Sequence, residues 1–158
     1  MLKELKQKIE AEVTKLDYEL RVTLPAEIKK ALEFGDLREN AEYKSALERQ
    51  EMVRAHLGRH QKRLAELSTL DVSRLPRDRA AFGSTLKITN LDTGEKLAYR
   101  LVMSEDSDAE RGWVSVTSPI GRGLVSKVAG DEVTIRTPGG VKRFGIDAIQ
   151  TLHDELAS

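Results

Sequence analysis

The strongest constraint on the fold of this chain is a pair of apolar stripes with helical spacing. Within residues 2–34 and again within residues 41–67, the stripe positions recur at steps of three or four, which places them along one face of an α-helix. The positions are Leu2, Leu5, Ile9, Val13, Leu16, Leu20, Leu24, Ile28 and Ala31, then Ala46, Gln50, Val53, Leu57, His60, Leu64 and Leu67. Because two such stripes bury each other, the sequence predicts an antiparallel α-helical coiled-coil hairpin over residues 1–70, roughly 45 Å long.

The segment that joins the two helices, residues 35–43, reads GDLRENAEY and forms an acidic tip. Glycine tolerates the left-handed backbone at a helix end, and aspartate caps a helix start. We therefore predict a chain reversal in which Gly35 ends one helix and Asp36 caps the next. Upstream, Pro25 lacks a backbone donor and predicts a kink in the first helix. The alternative is a new helical segment capped by Thr23.

Asp36 and Glu39 allow two interpretations. Their spacing is that of a capping box, and both carboxylates suit the positive end of a helix dipole. They could instead offer oxygen ligands to Mg²⁺, which accepts few protein carboxylates and takes its other ligands from water and phosphate. Two acids cannot close a metal site alone, so the second interpretation requires an ion that another protein also holds.

The returning helix is basic where the tip is acidic. Residues 33–42 hold four acids and one base, whereas residues 49–63 hold five bases and one acid. One interpretation is a solvated face with helical ion pairs worth about 0.3–0.5 kcal/mol each. The other is a flank that follows a polyanion, with Arg49, Arg54 and Arg59 as the candidate nucleic-acid contacts.

The second half of the chain has a different residue pattern, without the helical spacing of the first half. Turn-forming residues interrupt the helical period after Thr69, and residues 71–79 are predicted to be a linker. Residues 80–158 then carry short β-rich segments separated by turn signals, which predicts a compact domain. The predicted strands are 84–89, 96–103, 113–117, 132–137 and 141–149, with one short helix within 118–124. The expected fold class is therefore α+β, with the helical hairpin first.

Composition and motifs exclude several classes of function. The formal net charge is +0, and no apolar run reaches the about 20 residues of a membrane span. The absence of cysteine excludes thiolate chemistry and suits a reducing cytoplasm. His56 and His60 have a zinc-compatible spacing, but without a third ligand a hydrogen-bonded core histidine on the seam is favoured. The glycines match no nucleotide-binding loop, and no self-contained active site is indicated.

Several motifs together resemble the GreA/GreB family of bacterial transcript cleavage factors. The segment 35–43 is similar to the hairpin tip of that family, and VSVTSPIGR at 114–122 is similar to its C-terminal signature. The sequences FGST at 82–85, GDEV at 130–133 and TPGGV at 137–141 match it in the same order. The tip sequence and the modest basic content resemble the GreA type more than the GreB type.

This resemblance implies a specific activity. The C-terminal domain would have an FKBP-like fold and bind bacterial RNA polymerase, with Ser118 and Pro119 as candidate docking residues. The coiled coil would enter the secondary channel of the polymerase and bring Asp36 and Glu39 to the active centre of backtracked complexes. There the two acids would help hold a Mg²⁺ ion and a water, and the polymerase would cleave the extruded 3′ segment of the nascent RNA. The chain itself would be no enzyme and would have no cofactor of its own.

Three hypotheses about function remain open at this point. The first is a cofactor that stimulates transcript cleavage by the polymerase. The second is a regulator that binds the same channel and inhibits or modulates the enzyme without cleavage, and the third is an independent hydrolase or isomerase. The presence of both Asp36 and Glu39 favours the first over the second, and the lack of a catalytic constellation weighs against the third. We expect a cytoplasmic monomer.

Overall fold

The chain divides between Leu70 and Asp71 into two units. The computed structural model describes residues 1–35 and 40–157, in which the first unit is helical and the second is built on a mixed β-sheet. This arrangement confirms the predicted α+β class, with the helical part first in the chain. Within the described residues, the model contains no helix with the length and apolar character that crossing a membrane requires.

Two helical arms pack against each other in the first unit. The outgoing arm consists of α1, a π-helical turn at Glu19–Thr23, and α2; the returning arm is α3. The helices are α1 at Leu2–Tyr18, α2 at Leu24–Leu32 and α3 at Ala41–Thr69. An ion pair between Glu19 and Arg49 and a hydrogen bond between Ala31 and Asn40 show that the arms run antiparallel.

The predicted stripes form the seam of this hairpin. The buried side chains of its three helices all belong to the stripe positions: Leu5, Ile9, Leu16, Leu24, Ala31, Ala46, Val53, Leu57 and Leu67. Leu16, Leu24, Val53 and Leu57 form one apolar cluster. Burying a side chain of this size contributes about 1.5–3 kcal/mol, so the seam is the main source of hairpin stability.

The helix passes Pro25 by means of the π-helical turn. The Leu24 N–H donates to the carbonyl of Glu19, five residues earlier, which is the wider spacing of a π-helix. Thr23 has helical backbone angles (φ −65°, ψ −53°), and its side chain makes no capping hydrogen bond. A new segment capped by Thr23 is therefore wrong. Proline has no backbone N–H to donate, and the wider turn immediately before Pro25 lets the helix continue without that hydrogen bond.

The second unit is a five-stranded sheet with the order β3-β2-β1-β5-β4. All neighbouring strands are antiparallel except β2 and β3, which are parallel. The strands are β1 at Thr85–Asn90, β2 at Lys96–Val102, β3 at Trp113–Ser115, β4 at Glu132–Thr137 and β5 at Gly140–Gln150. Every strand expected from the sequence is present, and the ends differ by at most two residues.

Two short helices complete the second unit. The helix α4, Pro119–Leu124, packs on β4 and buries Leu124 in the core with Leu86, Leu101 and Phe144. The helix α5, Leu152–Ala157, was not expected from the sequence. Its His153 donates from Nε2 to the carbonyl of Leu75 at 2.8 Å. That hydrogen bond ties part of segment 71–79 to the C-terminal helix.

Candidate functional site

The candidate site lies at the hairpin end, defined here as residues 32–35 and 40–43. The outgoing arm finishes in a tightened turn, where Phe34 N–H donates to the Ala31 carbonyl at 3.1 Å. Gly35 follows with φ +104°, in the region that favours glycine, as the sequence predicts for a helix end. The side chain of Phe34 is 67% exposed, so an aromatic ring stands in solvent beside the tip.

The returning helix is capped by Asn40. Its Oδ1 accepts the Tyr43 N–H at 3.1 Å, and its extended backbone (φ −77°, ψ 101°) is that of an N-cap residue. The prediction that Asp36 caps this helix is therefore wrong, since α3 begins at Ala41. Asp36 and Glu39 themselves lie outside the described residues.

Asn40 also makes a hydrogen bond across the hairpin. Its Nδ2 donates to the Ala31 carbonyl at 2.7 Å, and the two residues are nine positions apart in the sequence. One side chain thus joins the last turn of α2 to the first turn of α3. The sequence interpretation missed this residue, although asparagine directly before Ala41 is among the strongest N-cap signals.

Arg49, predicted as a nucleic-acid contact, lies in an ion pair across the hairpin. Its Nε and Nη2 donate to the two carboxylate oxygens of Glu19 at 2.6 and 2.9 Å, and its Nη1 is 3.5 Å from the Met52 sulfur. The hydrogen bonds from Arg49 lower the pKa of Glu19 below its usual value, and the same contact raises the pKa of Arg49. An RNA phosphate would have to compete with Glu19 for this guanidinium.

The three candidate arginines do not form one stripe. Successive members are five residues apart, and five α-helical residues rotate by about 140°, so Arg49, Arg54 and Arg59 lie on different faces of α3. Arg54 and Arg59 are exposed and make no ion pair with any residue among 1–35 and 40–157. The structure therefore leaves two separate exposed cations, and their contact with nucleic acid stays a prediction.

The histidine pair on α3 gives no sign of a metal site. His56 is exposed, and His60 on the seam is half-buried. In the part of the chain that the structure describes, no group of three or more His, Cys, Asp or Glu side chains is placed to hold a metal ion.

A groove lies between α2 and α3 next to the hairpin end, with a volume of about 570 Å³. Small side chains on both helices make room for it, since alanine fills little of the space between two backbones. Its lining residues are Glu27, Lys30, Ala31, Ala41, Glu42, Ser45, Ala46 and Arg49. Acidic and basic side chains line it together, so its charge favours neither anions nor cations.

In the second unit, the predicted docking residues occupy the start of α4. Ser118 is the N-cap: its Oγ accepts the Gly121 N–H at 3.0 Å and donates to the Ser115 carbonyl at 2.7 Å. Pro119 is exposed at the first turn, where its missing N–H costs nothing. Ser118 thus has a local structural role, and docking by Ser118 and Pro119 stays a prediction.

The Glu19–Arg49 pair predicts how hairpin stability depends on pH. The folded-state pKa of Glu19 is lowered, so the pair stabilises the hairpin above the unfolded pKa of about 4.3 and is lost as pH falls through the folded pKa. Glu19→Gln should therefore flatten the decline of the unfolding midpoint between about pH 5 and pH 3, measured by far-UV circular dichroism.

The exposed Glu12 on α1 supplies a matched control for that measurement. Glu12→Gln removes the same charge without removing an interhelical pair, and it should follow the wild-type pH profile. If Glu19→Gln and the wild type lost stability in parallel over the acid range, the ion pair would have no role in the hairpin.

Matches to two family models cover most of the chain. Residues 1–68 match the model described as transcription elongation factor, N-terminal, and residues 75–151 match the model described as transcription elongation factor, GreA/GreB, C-term. The helical hairpin and the sheet unit that follows it thus define the class as transcription elongation factors. Within that class, the chain belongs to the GreA/GreB family, which confirms the resemblance carried by its motifs.

Curated relatives place the chain with the GreA type. A protein named transcription elongation factor GreA from Vibrio parahaemolyticus is 40% identical over 132 residues, which is 83% of this chain and 84% of that one. The corresponding figures are 41% over 139 residues (87% and 88%) for GreA of Pseudomonas aeruginosa. For GreA of Desulfotalea psychrophila they are 38% over 145 residues (92% and 90%). The GreA type expected from the tip sequence is therefore confirmed.

Solved structures of related factors also resemble the chain. A GreA/GreB elongation factor from Nitrosomonas europaea is 26% identical, with a TM-score of 0.43, and the match covers 58% of this chain and 78% of that one. GreA factor homolog 1 of Thermus thermophilus is 20% identical with a TM-score of 0.43, and the match covers 94% of both chains. The sequence matches are what assign the family.

Proposed function

We propose that this chain binds bacterial RNA polymerase, inserts its hairpin into the secondary channel, and stimulates cleavage of backtracked nascent RNA by the polymerase. Cleavage would release arrested complexes, and the chemistry would belong to the polymerase. The observation that carries the proposal is membership of the GreA/GreB family over both units, in the right order, together with both acids of the tip sequence at Asp36 and Glu39.

The geometry of the hairpin supports this role for the tip. The Asn40–Ala31 hydrogen bond joins the last turn of α2 to the cap of α3, at the end of the helical pair where the tip sequence is inserted in the chain. The returning helix alone, with 29 residues at about 1.5 Å each, extends roughly 43 Å. A helix of this length can carry side chains at one end far from residues at its other end.

The donor set of the tip fits a shared divalent ion. Asp36 and Glu39 would offer carboxylate oxygens, the hard ligands that Mg²⁺ prefers, and would leave its other positions to water, RNA phosphate and polymerase side chains. When shared in this way, Mg²⁺ supplies Lewis-acid chemistry for the attack of water on a phosphodiester. The contribution of this chain is to deliver and orient the two carboxylates.

In this proposal, the two units of the chain have different roles. The sheet unit would hold the polymerase through the α4 region, where Pro119 is exposed, and the hairpin would act at the active centre. Arg54 and Arg59 are the exposed cations on α3 that would attract the phosphate backbone of RNA. The factor would act in the bacterial cytoplasm as a monomer.

The decisive experiment adds the chain to stalled, backtracked bacterial polymerase that holds labelled RNA and Mg²⁺. We expect the rate of RNA shortening to rise by about 10²-fold or more, because a correctly oriented metal ligand acts directly on the reacting centre. The isolated unit 71–158 should compete for polymerase binding without raising cleavage. Polymerase that is bound and inhibited, with no RNA shortening, would instead identify a channel regulator.

A further inference from the structure

We propose that the open face of the sheet unit binds the phosphate backbone of single-stranded RNA. The open face is defined here by six exposed residues on the side of the sheet opposite its apolar core: Lys87, Lys96, Thr134, Arg136, Val141 and Arg143. It uses no residue of the hairpin or of α4. The proposal therefore goes beyond the proposed function and does not depend on stimulated cleavage.

Strand alternation separates the open face from the core. Successive side chains of a strand point to opposite sides of the sheet, and Ile135 and Phe144 belong to the core. Their neighbours in β4 and β5, including Thr134 and Arg143, therefore point to the other side and are exposed. The helix α4 packs on the core side, where its Leu124 is buried. The predicted docking region and the open face thus lie on opposite sides of the sheet.

The open side of the sheet carries an excess of basic side chains. Four exposed cations make no ion pair with any residue that the structure describes: Lys87, Lys96, Arg136 and Arg143. Arg100, on the same side, is paired with Glu155. Two further acids share this side: Glu132 is exposed, and Asp147 accepts a hydrogen bond from the Thr89 hydroxyl at 2.5 Å. Residues 71–158 together hold 12 bases and 13 acids, so the excess of cations belongs to this side of the sheet and attracts anions to it.

The spacing of these cations suits the backbone of a nucleic acid. Arg136 lies opposite Val141 in the β4–β5 register, so Arg143 is its diagonal neighbour at about 7–8 Å. Lys87 and Lys96 have the same diagonal relation across β1 and β2. Both spacings are close to the separation of successive phosphates in an extended strand, and long side chains adjust to the difference. Because β5 lies next to β1, the four cations cross β4, β5, β1 and β2 in one row.

A single strand fits this row better than a duplex. Neighbouring strands of a sheet are rotated by roughly 20–25°, so a row of side chains across four strands is curved. A flexible single strand can follow that curve. Double-stranded DNA is stiff over roughly 50 nm and would contact only part of the row.

Two further residues of the open face favour RNA over DNA. Thr134 lies opposite Arg143, and its hydroxyl makes no hydrogen bond with the residues that the structure describes. That hydroxyl can bind a ribose 2′-OH, the group by which a protein distinguishes RNA from DNA. Val141 is 60% exposed opposite Arg136, where it offers an apolar contact to a ribose or a base.

The test measures how the full chain binds labelled oligouridine of about 30 nucleotides, by fluorescence anisotropy between about 50 and 200 mM salt. Four phosphate contacts contribute about −3 to the slope of log K against log salt, at about −0.7 each. Arg136→Gln combined with Arg143→Gln should reduce the magnitude of the slope by about 1.4 and weaken binding at low salt by at least about tenfold. An unchanged slope would overturn the proposal. Polymerase is absent from this assay, so its result is independent of the proposed function.

Lys142→Gln is the matched control. Lys142 lies between Val141 and Arg143 in β5 but opposite Ile135, so it is exposed on the other side of the sheet. This variant should bind RNA within about twofold of wild type, whereas Arg143→Gln should lose at least about threefold in affinity. Equal losses would show that only the net charge matters, and the open face would not be a binding surface.

Arg54→Gln combined with Arg59→Gln separates the open face from the exposed cations of α3. The contribution of about −3 from the open face should remain in this variant. Complete loss of binding here, with wild-type binding in the open-face variants, would make α3 the RNA contact and overturn the proposal.

Other nucleic acids test the choice of single-stranded RNA. Oligodeoxyuridine of the same length should bind at least about threefold more weakly than oligouridine, and Thr134→Val should remove this difference by weakening RNA binding alone. Duplex DNA of that length should also bind more weakly than the RNA. DNA of either form that bound as tightly as RNA would overturn the assignment. The substituted positions are exposed, so each variant should keep the wild-type fluorescence of the buried Trp113.

Discussion

Asp36→Asn and Glu39→Gln should each reduce the cleavage rate of backtracked polymerase by about 10²-fold relative to the wild-type factor. Each change keeps the size of the side chain and removes the charge that a shared Mg²⁺ requires, so the proposed tip loses a ligand while the hairpin remains. The measurement is the rate at which labelled RNA is shortened. Both variants should still compete with the wild type for the polymerase.

Glu33→Gln and Glu42→Gln provide the controls for this result. Both acids are exposed and lie on either side of residues 36–39 in the sequence, so neutralising either one removes one negative charge near the tip acids. Their cleavage rates should remain within about threefold of wild type, since neither carboxylate is one of the two proposed ligands of the shared Mg²⁺. If the control and tip variants behaved alike, general acidity near the tip would explain the activity, and the assigned roles of Asp36 and Glu39 would be wrong.

Gly121→Ala should unfold the sheet unit, with a loss of at least about 3 kcal/mol in its free energy of unfolding. A Cβ at Gly121 would lie 1.8 Å from the backbone carbonyl oxygen of Ser115. That carbonyl belongs to β3 and accepts hydrogen bonds from both the N–H and the Oγ of Ser118, so it cannot move aside cheaply. The helix α4 would have to leave its place on β4.

The fluorescence of Trp113, the only tryptophan of the chain, measures unfolding of the sheet unit. Trp113 is buried in β3, with Arg111 stacked 3.9 Å from its ring centre, so its fluorescence follows the sheet unit, whereas far-UV circular dichroism is dominated by the helices. Gly139→Ala is the control, because its added Cβ would meet only the Thr137 Oγ1 at 3.7 Å. A wild-type fluorescence transition in Gly121→Ala would contradict the close packing of α4 on β3.

This packing gives part of the C-terminal signature a physical meaning. In the sequence Ser118-Pro119-Ile120-Gly121, the serine caps a helix, the proline begins it, and the glycine permits its approach to β3. Those roles maintain the surface on which Pro119 is exposed. In the proposed docking, a variant of Ser118 would lower polymerase binding through a distorted loop even if its hydroxyl never touched the polymerase. Binding assays on Pro119 variants test docking more directly.

The elements of this protein were predictable where a single period dominates. Steps of three or four located every buried position of the three described helices α1, α2 and α3, because a helix buries one face and the spacing identifies that face. Short β-branched runs between glycine and proline turns located the five strands for a similar reason. The helix α5 was missed because six residues carry too little periodic signal to distinguish a helix from a loop.

The candidate site also has features that the sequence predicted and features that only the structure showed. The sequence by itself determined the helical hairpin, its acidic tip and the family, because periodicity and motif order are properties of the chain alone. Only the tertiary structure assigned the cap to Asn40, paired Arg49 with Glu19, and brought Gly121 against Ser115. Each of these depends on a partner distant in sequence or on where a helix begins. Local spacing cannot specify which groups meet once the arms and strands have packed.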